Sequence, residues 1–472
     1  MSKNTKTDVA VVWFRQDLRL SDNPALAYAL ENHDSVLCLY ILDVGGAEEL
    51  SASDCWLISA LRDLDEQLDG RLTCLHGLPE EVLSGLNQEF QISAIYWNRL
   101  YDPQNISRDT RLKKYWREQG LWVESFNSHL AVEPWQLLKA DKTPYKVFTP
   151  YYRALLSHDL LVSAPLSDQL QTHKVLRASQ SLSDALKMNL PTWATQLLDT
   201  CDQTRDAGLR YFAKFAEEAL ESYKADRDFL SIDGVSHLSP YLHFGQIGVR
   251  EILSIVQGRT GEDVFVRQLL WRDFAHYVLF HWPNTLDQSM DKRFEQIAWS
   301  KDRSSFDAWR LGCTGIPVVD AGMRELWQTG AMHNRVRMIV ASFLTKHLQH
   351  DWRLGADWFM QTLFDADLAN NTMGWQWVAG CGVDAAPYFR VFNPVTQGQK
   401  FDAYGDYVCK WVPELKDVPK KWIHSPWLAP QEVLDSAGVK LGESYPFPII
   451  DLADGRKQAL EAWDRVKNGI SV

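Results

Sequence analysis

The sequence lacks the cysteine spacing of a disulfide framework or a zinc site. Its seven cysteines, spread over 472 residues, include no Cys-x-x-Cys pair. Such scattered thiols are typical of a reducing compartment, so we expect a cytoplasmic protein. No run of about 18 apolar residues occurs, and the first residues, MSKNTKTDVAVVWF, contain no signal-peptide pattern. We therefore expect no membrane partner.

The signatures of several common enzyme classes are also missing. No GxGxxG follows the first predicted strand, and no P-loop, HExxH or GxSxG motif occurs. The main support for a nicotinamide-dependent dehydrogenase, a P-loop NTPase, a zinc protease or an α/β-hydrolase is therefore absent. Any nucleotide cofactor is predicted to bind through a different arrangement.

Tryptophan, in contrast, is abundant. The chain has 46% hydrophobic and 23% charged residues, which is typical of a globular protein. Its 20 tryptophans are about 4% of the chain, where roughly 1% is usual. This excess indicates that some indoles do more than fill a core.

The hydrophobic pattern predicts an α/β fold followed by a helical region. Short apolar runs at 8–14, 35–42, 71–77, 92–98 and 121–126 alternate with helical periodicity, which predicts a doubly wound, Rossmann-like parallel sheet. From about residue 205 the periodicity is helical. We predict an α/β domain over 1–130, a connection over 131–204 and a helical domain over 205–472.

Charge is unevenly distributed. The net charge is −12, which by itself argues against a nucleic-acid coat protein. Residues 1–130 hold 12 Lys and Arg against 20 Asp and Glu, whereas residues 321–400 hold 7 against 6. The acidity therefore belongs mostly to the α/β domain, and the helical domain could tolerate a polyanion.

One predicted helix, His333–Gln349, carries an unusual polar face. Val336, Ile339 and Val340 form a buried stripe, while Asn334 and Met338 fall on the opposite side with Arg335 and Arg337 beside them. Two interpretations are open: a methionine scattered on a solvated face, or a soft apolar contact for a ligand.

A second concentration of chemistry occurs at 365–377, DADLANNTMGWQW. It contains two aspartates, two adjacent asparagines and two tryptophans. Core packing and loop formation explain such residues as well as a binding site does.

Eight segments in order along nearly the whole chain resemble the photolyase/cryptochrome family, most closely the class I cyclobutane pyrimidine dimer photolyases. They are VVWFRQDLRLSDNPAL (11–26), YKVFTPYYRALL (145–156), LSPYLHFG (238–245), LLWRDF (269–274), TGIPVVDAGMREL (314–326), MHNRVRM (332–338), DADLANNTMGWQW (365–377) and DAAPYFRVFNPVTQGQKFD (384–402). The resemblance implies an N-terminal antenna domain and a C-terminal helical domain that binds FAD.

The resemblance also implies a cofactor site. The residues expected to contact FAD are Tyr223, Val235, Ser236, Leu238, Ser239, Gln268, Arg272, Arg337, Asp365, Asp367 and Asn371. Arg337 is expected to pair with Asp365, and Asn371 to face flavin N5. A neutral amide there can accept a hydrogen bond from a protonated N5, whereas a carboxylate would disfavour the anionic reduced flavin.

The family's electron relay matches at Trp375, Trp352 and Trp299, which would carry an electron from the surface to the flavin. The substrate implied is UV-damaged DNA, with the dimer flipped out of the duplex. Residues expected to contact it are Arg227, Gln268, Trp271, Asn334, Arg335, Met338, Trp377 and Arg390. The implied chemistry is electron transfer from photoexcited reduced FAD, ring splitting and electron return.

Some positions depart from the family pattern. Gln268 replaces the usual glutamate, Val235 replaces a threonine and Ala331 replaces a tryptophan. Gln268 leaves a 6-4 lesion preference open, but those enzymes carry histidine at the position of Met338, so we favour the cyclobutane dimer. The folate-binding residues of relatives are missing, so a second antenna chromophore could be a folate, a deazaflavin, a flavin or none.

A blue-light photosensor of the cryptochrome type is the alternative from another functional class. Signalling relatives often add a long variable extension, whereas 57 residues follow the WVPEL segment that ends at Leu415. With Met338, Asn371, Trp271 and Trp377, this feature favours repair. We expect a monomer.

Overall fold

The computed structural model describes residues 8–42, 50–157, 172–176, 182, 190–388 and 390–468. Parts of the predicted connection over 131–204 lie outside these residues. In the described part of the chain, no helix is long and apolar enough to cross a membrane.

Five parallel strands form one sheet near the N-terminus. They are β1 (Asp8–Phe14), β2 (Val36–Leu42), β3 (Thr73–His76), β4 (Gln91–Asn98) and β5 (Trp122–Phe126). The strand order is β3-β2-β1-β4-β5, so the order reverses beside β1. β1 and β2 are buried almost throughout, as expected for a parallel sheet with both faces covered. The predicted fold class is confirmed, and each strand lies within two residues of its predicted bounds.

The helices begin in the α/β region and dominate the rest of the chain. They are α1 (Pro24–Asn32), α2 (Ala52–Gln67), α3 (Pro79–Glu89), α4 (Pro103–Glu118), α5 (Phe148–Ser157), α6 (Thr192–Leu198), α7 (Arg205–Glu218), α8 (Tyr223–Asp226), α9 (Ser239–His243), α10 (Val249–Val256), α11 (Glu262–His281), α12 (Arg303–Arg310), α13 (Pro317–Thr329), α14 (Asn334–Ser342), α15 (Trp352–Thr362), α16 (Leu368–Ala379), α17 (Pro394–Phe401), α18 (Asp406–Trp411), α19 (Gln431–Ser436) and α20 (Leu452–Lys467).

Short helical turns of other types complete the secondary structure. Turns of 3-10 helix lie at Thr172–Lys174, Pro283–Leu286, Lys292–Gln296, Pro413–Leu415 and Pro426–Leu428, and a π-helical turn at Phe343–His347 follows α14. The helix predicted over 333–349 is therefore an α-helix continued by a π turn.

The chain divides into two compact units that are discontinuous in sequence. Unit 1 contains residues 1–221 and 236–283, and unit 2 contains 222–235 and 284–472. Unit 1 thus combines the sheet with helices α9 to α11. The division into 1–130, 131–204 and 205–472 stays a prediction.

Arg19 ties the two sequence segments of unit 1 together. Its buried guanidinium donates to the carbonyls of Gly245 and Asp22, at 2.8 and 2.7 Å, and to the Ser128 hydroxyl at 2.7 Å. Burial lowers the pKa of Arg19, an effect that the carboxylate of Asp22 opposes. Removing the guanidinium would leave these buried carbonyls without a donor.

The substitution Arg19→Leu is expected to lower the free energy of unfolding by about 3 kcal/mol, because the buried acceptors lose their partner. Chemical denaturation measures the change. Arg62→Leu removes an exposed arginine from α2 and should stay within about 0.5 kcal/mol of the parent. Equal effects of the two substitutions would contradict this role for Arg19.

Candidate functional site

Helix α16 carries three of the predicted site residues, and its N-terminus is capped by a fourth. The Asp367 carboxylate accepts hydrogen bonds from the Asn370 backbone N–H at 2.8 Å and from its side-chain amide at 2.6 Å. A carboxylate at this position satisfies an otherwise unpaired N–H and opposes the positive end of the helix dipole. The cap therefore determines where α16 begins.

Arg337 and Asp365 join α14 to the segment just before α16. The Arg337 guanidinium donates to both carboxylate oxygens of Asp365, at 2.9 and 3.0 Å, and its Nε donates to the Met332 carbonyl at 2.8 Å. The ion pair that the family resemblance implies is therefore present. It holds the start of α16 against the helix that carries Asn334, Arg335 and Met338.

The side-chain amide of Asn371 has a defined orientation. Its nitrogen donates to the Ala356 carbonyl of α15 at 2.9 Å. This bond turns the NH2 group of the amide toward α15, so the amide oxygen lies on the other branch, where it can only accept, while the second N–H stays able to donate. This orientation fits a ligand that presents a protonated nitrogen, as flavin N5 does in its reduced forms.

A buried lysine fixes the other end of α16. The Lys346 side-chain nitrogen, in the π turn, donates to the Ala379 carbonyl at 2.7 Å and to the Tyr388 carbonyl at 3.4 Å. Burial lowers the pKa of Lys346 well below its usual value. Lys346 thus satisfies a C-terminal carbonyl of α16 and connects it to Tyr388.

The three predicted relay tryptophans all belong to unit 2 and differ in burial. Trp375 is 3% exposed and Trp352 is 1% exposed, whereas Trp299 is partly exposed. All three pack against the same hydrophobic core. The indole N–H groups of Trp375 and Trp352 are buried without a hydrogen-bond partner among the described residues.

A close approach of two helices holds the Trp375 ring. A Cβ atom added to Gly355 of α15 would lie 2.1 Å from that ring. Glycine is therefore required at 355 for the ring to occupy this position.

The polar face predicted for the 333–349 segment is present on α14. Val336, Ile339 and Val340 are buried, as predicted. Asn334 is exposed, and its amide nitrogen lies 3.8 Å from the sulfur of Met338, which is half-buried. The methionine thus borders the core with an amide beside it. Burial lowers the pKa of His333, which caps this helix, to about 4.

Two of the predicted DNA-contacting arginines, Arg227 and Arg335, lie beside a carboxylate within unit 2. Arg335 pairs with Asp228 at 2.7 Å, and its guanidinium lies 4.5 Å from the Phe401 ring centroid. Arg227 lies 3.9 Å from Asp228. Arg390 is exposed, and Trp377 is half-buried. Sequence reasoning missed Asp228 and Phe401, although Asp228 follows Arg227 directly.

Two further predicted FAD contacts lie in unit 2. Tyr223 is buried, and the Arg227 guanidinium lies over it, 5.3 Å from the Tyr223 ring centroid. Burial raises the pKa of the Tyr223 phenol. Val235 is half-buried.

The remaining predicted residues belong to unit 1. The Trp271 ring stacks on Phe148, with centroids 3.8 Å apart and planes 13° apart. Gln268 donates to the Val264 carbonyl at 3.3 Å, and Arg272 donates to the His129 carbonyl at 2.9 Å. Phe148 lies in the YKVFTPYYRALL segment but was not among the predicted residues.

Around α9 the predicted contacts differ in exposure. Leu238 is buried, Ser236 is half-buried and Ser239, the first residue of α9, is exposed. Hydroxyl groups near the start of a helix suit a phosphate group without a glycine-rich loop.

Comparison with known proteins identifies the family. Residues 10–170 match the family model described as DNA photolyase, and residues 265–465 match the FAD binding domain of DNA photolyase. The chain is 42% identical to the deoxyribodipyrimidine photo-lyase of Agrobacterium fabrum, over 98% of this chain and 99% of that protein. It is 35% identical to cryptochrome-1 of Arabidopsis thaliana, over 96% of this chain and 70% of that protein.

A solved structure agrees with these sequence matches. The bacterial class III photolyase of Agrobacterium tumefaciens superimposes with a TM-score of 0.92 and 41% identity, covering 99% of each chain. The expected closeness to class I is not confirmed, because this structural neighbour is of class III. The chain belongs to the photolyase/cryptochrome family.

Proposed function

We propose that this protein is a light-driven DNA repair enzyme, a deoxyribodipyrimidine photo-lyase that splits cyclobutane pyrimidine dimers. The observation that carries the proposal is the placement of Asn371 and Trp375 four residues apart on α16. Residues at this spacing share one helix face. The same face therefore carries the amide of Asn371, whose NH2 group bonds to the Ala356 carbonyl, and the first indole of the relay.

FAD, when bound, supplies the light-excited electron donor. The residues of unit 2 suit it, because Arg337, Asp365, Asp367 and Asn371 offer a guanidinium, two carboxylates and an amide to a polar cofactor. Asn371 would hold the proton on N5 by accepting its hydrogen bond through Oδ1, because the bond from its nitrogen to the Ala356 carbonyl turns the NH2 group toward α15. Being neutral, the amide adds no negative charge beside the reduced ring system.

The tryptophans would pass electrons to the flavin and so return it to its reduced state. Trp375 and Trp352 have no acceptor for their indole N–H among the described residues, so neither ring, once oxidised, has a base to take its proton. Trp299 is partly exposed, so its oxidised ring can give a proton to water and take an electron from an external reductant. The exposure of Trp299 therefore favours this ring as the outermost donor, with Trp352 and Trp375 as the buried members of the relay.

Lesion binding would use apolar contact and phosphate anchoring. Met338 and Trp377 in unit 2 provide apolar surfaces that suit a flipped-out pyrimidine dimer. Arg227, Arg335 and Arg390 suit phosphate groups, which position DNA without reading its sequence. The cycle needs no general acid or base.

The remaining expectations complete the proposal. We infer that the protein acts as a monomer in the cytoplasm, in line with its scattered cysteines. The antenna chromophore stays open among a folate, a deazaflavin, a flavin and none.

The decisive experiment incubates the reduced protein with oligonucleotides that contain one cyclobutane dimer or one 6-4 lesion, under blue light. We expect reversal of the cyclobutane dimer only. Reversal of the 6-4 lesion instead would show that the 6-4 lesion, not the cyclobutane dimer, is the substrate. If the flavin photoreduces but neither lesion is reversed, the photosensor function replaces the repair function.

The substitution Trp299→Phe is expected to slow flavin photoreduction by at least about tenfold, because phenylalanine is much harder to oxidise than tryptophan. Transient absorption of the oxidised protein measures this rate. Repair by enzyme reduced beforehand should stay nearly unchanged. The control is Trp411→Phe, because Trp411 is a partly buried tryptophan that packs against the same core. Equal loss of photoreduction and repair would contradict the relay assignment.

The substitution Arg335→Ala is expected to weaken binding of damaged DNA about three- to tenfold and to reduce the slope of log K against log salt by about 1, because one phosphate contact is lost. Fluorescence anisotropy at several salt concentrations measures both. Arg303→Ala, which removes an exposed arginine of the same unit, should change neither. Unchanged binding by Arg335→Ala would remove this residue from the DNA-binding surface.

A further inference from the structure

A carboxylate lies beside two of the three arginines that the proposed function assigns to DNA phosphate, Arg227 and Arg335. Asp228 Oδ2 is 2.7 Å from Arg335 Nη2, and Asp228 Oδ1 is 3.9 Å from Arg227 Nε. One carboxyl oxygen therefore faces each guanidinium. Carboxylate and phosphate oxygens compete for the same guanidinium donors.

Arg335 is held more firmly than its partner. Its guanidinium packs on the Phe401 ring at 4.5 Å, and its backbone N–H donates to Nδ1 of the capping His333 at 3.1 Å. The Arg335 side chain is 17% exposed, whereas that of Asp228 is 35% exposed. Because Asp228 is the more exposed of the two, it can rotate toward water while Arg335 stays in position.

The Asp228 carboxylate lowers the positive charge that the two arginines offer to DNA. Arg227 and Arg335 bring two positive charges, and Asp228 cancels one of them. A DNA phosphate that binds Arg335 must displace Asp228, so the gain from neutralising that phosphate is reduced. Release of condensed counterions is the main source of non-specific DNA affinity, and a protein anion at the contact lowers it.

We propose that Asp228 is an internal competitor of DNA phosphate at Arg335 and Arg227. The inference rests on the proposed function. Asp228 sets a lower affinity for every duplex, damaged or not, because lesion contacts through Met338 and Trp377 do not involve it. Its benefit is release: repaired DNA is held by phosphate contacts alone, so the competing carboxylate shortens its residence on the enzyme.

The test compares Asp228→Asn with the parent in the full-length, FAD-loaded, reduced protein. Asparagine keeps the shape and removes the charge. We expect affinity for duplexes with and without one cyclobutane dimer to rise by a similar factor, about three- to tenfold, and the salt slope to steepen by about 1. Single-turnover repair should stay unchanged, while multiple-turnover repair slows because product dissociates more slowly.

Asp226→Asn is the matched control. It removes the same charge two residues earlier, and no ion pair joins Asp226 to either arginine in the described part of unit 2. It should leave affinity and turnover unchanged. An equal gain from Asp226→Asn would replace the proposal with a general electrostatic effect. Thermal melting of both variants confirms that the fold is retained.

A double-mutant cycle with Arg335→Ala completes the test. In that background, Asp228→Asn should lose most of its effect. If Asp228→Asn alone binds DNA more weakly or as the parent does, the proposal is overturned, and a weakening would show that Asp228 positions Arg335. Failure of the proposed function has a different result: the parent neither prefers nor repairs dimer-containing DNA.

Discussion

Hydrogen bonding at both ends of helix α16 is the constraint on which the candidate site depends. The Asp367 carboxylate caps its first turn, and the Lys346 side chain donates to the carbonyl of Ala379, its last residue. Helix ends leave N–H and C=O groups that must find partners, and here the side chains of Asp367 and Lys346 provide them. With both ends held, Asn371, Trp375 and Trp377 are fixed relative to α14 and α15.

Contacts from α14 and α15 also hold helix α16 in place. The Arg337–Asp365 pair attaches its N-terminal approach to α14, and the Asn371 amide attaches its middle to α15. Gly355 lets α15 come close enough to hold the Trp375 ring. An electron relay needs rings at fixed separations, and a core packed this closely prevents them from moving.

Much of the fold could be predicted because its signals are local. Strands β1 and β2 are nearly continuous apolar runs, and the stripe Val336, Ile339 and Val340 has the period of an α-helix. The π turn at Phe343–His347 could not be predicted, because one widened turn does not alter the apolar pattern around it. It places Lys346 at the end of α16, a contact between residues 33 positions apart.

The sequence by itself determined the fold class, the family and the residue types of the site, since these depend on periodicity and on ordered motifs. The tertiary structure decided which polar groups are already occupied. The nitrogen of Asn371 is bound to Ala356, and Arg335 is paired with Asp228 and stacked on Phe401. A motif identifies a hydrogen-bond donor or acceptor. Whether that group is free to bind a ligand depends on the partners that folding brings near it, and the spacing of residues in the sequence does not contain those distances.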